Sequence, residues 1–121
     1  MKIREIVERL EGKLLTDEKH MDYDVPCGFS CDLISDILMC VNEPTLILTG
    51  VTNHQIVRLA DMIEIMGVVF VRGKLPPQDI IDMANERDLP LVSTQHTMFK
   101  SSALLYNGGL RTCTMDQVDH G

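Results

Sequence analysis

Apolar residues recur at helical spacing at the start of the chain. They are Ile3, Ile6, Val7 and Leu10, with charged residues between them. This i, i+3, i+4, i+7 pattern predicts an amphipathic helix that ends at Gly12. A short strand at 13–16 and an acidic loop at 17–26 should follow, and a second apolar stripe predicts a helix over 31–41.

The second half of the chain alternates between short apolar runs and amphipathic stretches. The runs predict strands at 45–49, 68–71 and 89–93, and the stretches predict helices at 53–66, 77–86 and 97–106. Because the runs are continuously apolar, both faces of each strand should be covered, which is typical of a buried parallel sheet. The pattern therefore predicts a three-strand parallel β-α-β-α-β core.

These elements predict an α/β fold with three layers. A mixed sheet should be built on the parallel core, with helices on both faces and with the first helix and strand completing one edge. We expect one domain over 1–110 and an irregular tail over 111–121, where no pattern is visible.

Composition narrows the classes of partner. The chain has 121 residues, a 45% hydrophobic fraction that can build a core, and a net charge of −7. Such acidity disfavours binding to nucleic acid and to anionic membranes, which require basic surfaces. No apolar run is long enough to span a bilayer and the first residues lack a secretory signal pattern, so we expect a cytoplasmic protein.

Small and polar residues follow each of the three predicted parallel strands. Ligands of open parallel sheets bind outside the carboxyl ends of the strands, so these residues should line a pocket for a phosphate or nucleotide. The candidates are Thr49, Gly50, Thr52, Asn53, Arg72, Gly73, Lys74, Ser93, Thr94 and His96. Free N–H groups at helix N-termini and the two cations would attract the anion. Alternatively, the Thr and Asn residues are helix caps and the glycines form turns.

Catalytic motifs are missing from the sequence. There is no P-loop, no G-x-S-x-G and no H-E-x-x-H, which favours a protein that is not an enzyme. Asp32 and Asp36 lie four residues apart, a spacing that suits a divalent cation, an acid/base pair or simply a solvated acidic face. We expect no cofactor.

The four cysteines do not match the spacing of a structural zinc site. In a cytoplasmic protein they should be reduced and free of metal. Cys27 should be the most reactive, because it lies in a predicted exposed loop before a helix N-terminus that lowers a thiol pKa. Cys31 and Cys40 should be shielded by the apolar stripe of the helix at 31–41, and Cys113 lies in the predicted tail.

Four stretches resemble one known family. They are GFSCDLISDILM (28–39), TLILTGVTNHQIVRLADM (45–62), VVFVRGK (68–74) and LVSTQHTMFKSSALLYNGGL (91–110). Together they resemble the DRTGG domain family in its stand-alone form. The resemblance implies a fold similar to the N-terminal domains of HPr kinase/phosphorylase and of the Mur ligases. It also favours a homodimer, which the eight methionines and the few aromatic residues suit as well.

The chain departs from that family in two respects. The Asp-Arg pair that gives the family its name is replaced by Thr52-Asn53, which leaves open whether a binding role of that pair extends to this chain. The P-loop domain that carries the chemistry of HPr kinase has no counterpart here, so kinase activity is not implied.

Two functional hypotheses follow. The first is a non-catalytic regulatory module that binds a small anionic ligand or nucleotide at the strand ends and self-associates. The alternative is a ligand-free oligomerisation or docking protein that works with a protein partner, such as a redox or hydrogenase enzyme. An enzyme of phosphate transfer is disfavoured by the missing motifs.

Overall fold

The computed structural model describes residues 1–114 and contains five α-helices and six strands in that range. The helices are α1 (Ile3–Arg9), α2 (Ile34–Cys40), α3 (His54–Arg58), α4 (Gln78–Glu86) and α5 (Met98–Asn107). The strands are β1 (Lys13–Leu14), β2 (Cys27–Ser30), β3 (Thr45–Thr49), β4 (Ile65–Phe70), β5 (Leu91–Ser93) and β6 (Arg111–Thr112). Two 3-10 segments, Glu18–Asp22 and Leu59–Asp61, complete the set.

All six strands form one mixed sheet. Its order is β1-β5-β4-β3-β2-β6, with β1 antiparallel to β5 and every other pair parallel. The predicted three-strand core of β3, β4 and β5 is confirmed, and β1 does complete one edge. The sheet extends on its other side through β2 and β6.

Helices cover both faces of the sheet, which confirms the three layers. On one face, Ile47, Val68 and Phe70 pack against α2, α3 and α4. On the other face, Leu46 and Leu48 pack against α1 and α5, together with the residues of β4 and β5 that lie beside them. Successive strand residues therefore bury opposite faces, as continuous apolar runs require.

The helix predicted over 53–66 is shorter, and the strand after it is longer. α3 ends at Arg58, and β4 already begins at Ile65. The register shifts by one residue where Thr45 faces Ile65 but Leu46 faces Gly67, which leaves Met66 as the extra residue of a bulge. Gly67 therefore lies inside a strand, close to the Leu46 side chain, and does not end a helix.

Three segments differ from the prediction in kind. β2 occupies residues that were expected to lead into a helix, and α2 starts only at Ile34. A 3-10 segment lies within the predicted acidic loop. β6 lies within the predicted irregular tail over 111–121, because it pairs with β2 in register Cys27 with Arg111 and Gly28 with Thr112. Residues 115–121 of that tail lie outside the described residues.

The expectation for the cysteines is wrong in its main point. Cys27 is fully buried in β2, so it is not an exposed thiol before a helix. Cys31 and Cys40 are half-buried, and Cys113, directly after β6, is half-buried as well. In the described part of the chain, no helix is both long and apolar enough to cross a membrane.

Candidate functional site

The loop that follows β4 is built around Arg72. Arg72 and Gly73 have φ values of 59° and 70°, in the left-handed region that non-glycine residues seldom adopt. The Arg72 N–H donates to His96 O at 2.8 Å, and the Gly73 N–H donates to Thr94 O at 2.8 Å. These bonds fasten the loop to the segment after β5 and hold Arg72 in a conformation that functional sites often use.

The Arg72 side chain lies against Gly50. A Cβ atom at Gly50 would lie 2.7 Å from Arg72 Nη2, so only glycine admits the guanidinium in this position. The Gly50 N–H donates to Asp32 Oδ1 at 2.7 Å, and the Thr49 hydroxyl donates to the same oxygen at 3.0 Å. The carboxyl ends of β2, β3, β4 and β5 therefore meet, as the fold requires.

Several predicted ligand-binding residues have structural partners. Thr49 and Thr94 are buried, and the Thr94 hydroxyl donates to Leu10 O at 2.7 Å. Asn53 caps α3 by accepting from the Gln55 N–H at 3.0 Å, as the capping alternative predicts for that residue. The His96 imidazole lies 3.2 Å from a Glu11 carboxylate oxygen.

The other predicted residues remain available at the strand ends. Arg72, Lys74 and the backbone around Gly73 surround the turn after β4, and Ser93 is half-buried at the end of β5. Thr52 is half-buried in the loop before α3. The predicted residues thus converge at the carboxyl ends of the parallel strands, where the Arg72 side chain joins the loops.

Backbone N–H groups at the strand ends are partly occupied within the protein. The Gly50 N–H is occupied by Asp32, and the Gln55 and Lys100 N–H groups are occupied by the caps Asn53 and Thr97. The Asp32 carboxylate also occupies space that was expected for an anion. These three N–H groups are therefore not free for an anionic ligand, whereas the Arg72 and Lys74 side chains are exposed.

A cleft of about 380 Å³ opens beside the predicted residues, at the β1–β5 edge of the sheet. Ser93 and Thr94 line it, and so do Glu11, Lys13 and Gln95, which sequence reasoning missed. Lys13 lies opposite Ser93 across the antiparallel pair, and the Gln95 side chain packs close to Gly73. No sequence signal could have found Lys13, because its place depends on the pairing of β1 with β5.

Three cations near this edge are exposed and have no carboxylate partner among residues 1–114. They are Lys13, Arg72 and Lys74. Arg72 is not among the arginines that form ion pairs in that range, which are Arg4, Arg9, Arg87 and Arg111. Lys13 lines the cleft together with the Glu11 carboxylate, whereas Arg72 and Lys74 lie in the neighbouring turn after β4. In a chain with a net charge of −7, cations without an ion-pair partner on that turn make the local potential less negative.

A second cavity lies on the opposite side of the sheet from α3 and α4. This groove has a volume of about 470 Å³ and lies between α5, β2 and the segment around β6. Phe29, Leu48, Phe99, Leu105 and Tyr106 line it, and Phe99 is 86% exposed. We call it the apolar groove; its polar contribution comes from Ser30, Ser102, Arg111, Thr112 and Cys113.

The described residues form no accessible group of side chains for acid/base catalysis or for metal binding. Thr16, His20 and Asp88 have the order of a catalytic triad, with distances of 2.8 Å and 3.8 Å. Thr16 and His20 are buried, however, so a substrate does not reach them. Within residues 1–114, no group of three or more His, Cys, Asp or Glu side chains is placed to hold a metal ion. Asp32, a candidate cation ligand, is engaged with Thr49 and Gly50.

Comparison with known proteins identifies a similar fold. No protein-family model matches the chain, and no curated protein matches it either. A solved structure that is similar to the chain comprises the CBS and DRTGG domains of the regulatory region of Clostridium perfringens pyrophosphatase, in complex with the activator diadenosine tetraphosphate. The TM-score is 0.70 at 16% identity, over 93% of this chain.

The similarity concerns the fold, and the chain spans half the length of that regulatory region. It supports the DRTGG-like fold that the sequence motifs predict.

Proposed function

We propose that the protein is a non-catalytic regulatory module that binds a small phosphate-bearing ligand in the cleft at the strand ends. The observation that supports it best is Arg72. Its left-handed backbone is fixed by two hydrogen bonds, its guanidinium lies over Gly50, and it forms no ion pair among residues 1–114, although the Asp32 carboxylate also lies beside Gly50. An exposed guanidinium that forms no ion pair is a group that can recognise phosphate oxygens in pairs.

Lys13 lines the cleft, as does the Glu11 carboxylate, and Lys74 adds a cation in the turn after β4. Leu75 and Pro76, directly after Lys74, line the cleft together with Leu15 and Ile81. Such a cleft offers an apolar wall next to the cations of the turn after β4, which suits a nucleotide better than bare phosphate. The similar C. perfringens regulatory region is itself complexed with a nucleotide activator, which makes diadenosine tetraphosphate the first ligand to test.

Calorimetric titration of the full chain tests the proposal. Diadenosine tetraphosphate, ATP, AMP and pyrophosphate form the panel, and adenosine is the uncharged control. We expect Arg72→Ala to weaken binding of a phosphorylated ligand by about 1.5–3 kcal/mol, roughly 10- to 150-fold, the range for a hydrogen bond to a charged group.

Arg58→Ala is the matched control, because Arg58 is exposed and forms no ion pair among residues 1–114 but lies at the far end of α3. It should leave binding unchanged. Absence of binding by the whole panel at millimolar ligand would reject the proposal, and equal losses in both variants would reject Arg72 as the anchor.

The apolar groove favours a second candidate, self-association into a homodimer. A two-fold interface must be complementary to itself. One face of this protein carries both a protruding ring, Phe99, and the groove of about 470 Å³ that could receive the same ring from a second copy. The mass of the protein in solution tests this candidate independently of ligand binding.

A further inference from the structure

Cys27 and Cys113 bring two thiols together from opposite ends of the described chain. Their sulfur atoms are 2.9 Å apart, although 86 residues separate them in sequence. Cys27 is fully buried in β2, and Cys113 is half-buried directly after β6. The Thr45 hydroxyl contacts both sulfurs, at 3.4 Å and 3.2 Å.

The backbone holds this arrangement in place. β6 pairs with β2 next to Cys27, and the Cys113 thiol donates to Gly28 O at 3.4 Å. Glu43 accepts hydrogen bonds from the Arg111 guanidinium and from the Thr114 N–H. These two residues lie before and after Cys113 in the chain. The two sulfurs are therefore brought together by the pairing of β6 with β2, and not by a chance rotamer on the surface.

We propose that Cys27 and Cys113 form a modification site, in which a low-molecular-weight disulfide such as oxidised glutathione converts the two thiols into an intramolecular disulfide. The partly accessible Cys113 sulfur attacks one sulfur of oxidised glutathione and releases the first glutathione thiolate. The Cys27 sulfur then displaces the second glutathione from Cys113. Two protein thiols are oxidised, one glutathione disulfide is reduced to two thiols, and the two protein protons pass to them.

The surroundings of Cys113 set the pace of this exchange. Burial, reinforced by the hydrogen bond with Cys27, raises the pKa of Cys113 to about 12. The groups that face it are Cys27 from β2, Thr45 from β3, Glu43 before β3 and Arg111 from β6. Because the thiolate is the attacking species, we expect slow exchange at neutral pH and about tenfold acceleration per pH unit as the pH rises.

The disulfide would also affect the apolar groove. Arg111, Thr112 and Cys113 form one of its walls. A covalent bond to β2 would fasten that wall to the sheet, so oxidation would fix the shape of the groove.

Mass spectrometry of the full chain tests the proposal. The reduced protein is incubated with oxidised glutathione at about pH 8.5 and then digested for peptide mapping under non-reducing conditions. We expect a product with the mass of a single chain that has lost two hydrogens and contains one Cys27–Cys113 cross-link. Its melting temperature should exceed that of the reduced protein by roughly 5–10 °C, because the bond closes a long loop of the unfolded chain. Dithiothreitol should reverse both changes.

Cys113→Ser should abolish the cross-link, and Cys40→Ser, which removes a half-buried thiol on α2, should leave it unchanged. Cys113→Ser keeps the buried Cys27 in place, which avoids a cavity in the sheet. A stable mixed disulfide with glutathione on Cys113, a bond to Cys31 or Cys40, or a bond between two chains would each overturn the proposal.

Discussion

Gly50 shows how one missing side chain organises the strand ends. The atom that a Cβ would meet at 2.7 Å is the far end of the flexible Arg72 side chain, not backbone. The guanidinium can swing away from an alanine, whereas the fold around Gly50 need not move. Gly73 differs from Gly50, because its φ of 70° strains any other residue whatever the space around it.

We therefore predict that Gly50→Ala separates ligand binding from stability. The variant should melt within a few degrees of the original protein, yet lose affinity for phosphorylated ligands to the same extent as Arg72→Ala. Gly73→Ala should instead destabilise the fold by about 1 kcal/mol, as measured by urea unfolding. A Gly50→Ala variant that binds normally would show that the position of the guanidinium over Gly50 is irrelevant.

His20 provides a pH-dependent contribution to stability. Its imidazole is fully buried, with Nδ1 2.8 Å from the Thr16 hydroxyl and no hydrogen-bond partner for Nε2 among residues 1–114. Burial lowers the pKa of His20 below its ordinary 6.5, and this outweighs the attraction of its proton to Asp88 and Asp17. The folded state therefore binds fewer protons than the unfolded state when the pH falls below about 6.5.

The free energy of unfolding should consequently decline as the pH falls from about 6.5 to 5, before most carboxylates titrate. Urea unfolding at a series of pH values measures this decline. His20→Gln, which cannot titrate but can still bond to Thr16, should show a flatter profile over the same range. Identical slopes in the two proteins would mean that His20 is not the group responsible.

At the scale of elements, sequence patterns found the elements that bury apolar residues and missed those that are held by pairing. α4 and α5 lie within one residue of their predicted bounds, because their stripes face the sheet. β2, with the sequence CGFS, has one fully buried residue and is specified by the neighbouring β3. β6 has two exposed residues, so only its partner and Glu43 define it.

The candidate site divides in the same way. The convergence of Arg72, Lys74 and Ser93 follows from the rule for parallel sheets, and was predicted. The role of Asp32 was not, because it depends on β2, which the pattern did not show as a strand. The apolar groove was missed for the same reason, since β2 and β6 form part of its wall.

Glu43 should control how firmly β6 is attached. The hydrogen bonds that Glu43 accepts, first from Arg111 and second from the Thr114 N–H, lower the pKa of Glu43 to about 2. The carboxylate therefore stays ionised, and keeps both hydrogen bonds, even when the pH is well below neutral. Glu43→Gln should loosen β6 and speed alkylation of Cys113 several-fold. Amide exchange of residues 111–114 should rise in parallel, while Cys40 labelling should not change. Unaltered Cys113 labelling would assign the attachment of β6 to the sheet pairing alone.

At the scale of the whole molecule, the two edges of the sheet differ in how they are finished. The β1 edge is antiparallel and carries the exposed Lys13, a charge that discourages further strand pairing. The other edge is the two-residue β6, beside an open apolar groove and the exposed rings of Phe99 and Tyr106. We therefore expect the contact between copies at the α5–β6 side, because large exposed apolar surfaces commonly belong to interaction sites.

We predict a homodimer through this side, and a monomer when Phe99 is replaced. Light scattering at about 100 μM should give twice the chain mass for the original protein and the single mass for Phe99→Asp, because a carboxylate cannot enter the partner's groove without losing its hydration. Met39→Asp is the matched control: Met39 is 85% exposed, as Phe99 is 86%, but it lies on α2 in the other helical layer. That variant should remain dimeric. A monomeric original protein would reject self-association, and a monomer produced by Met39→Asp alone would move the interface to α2.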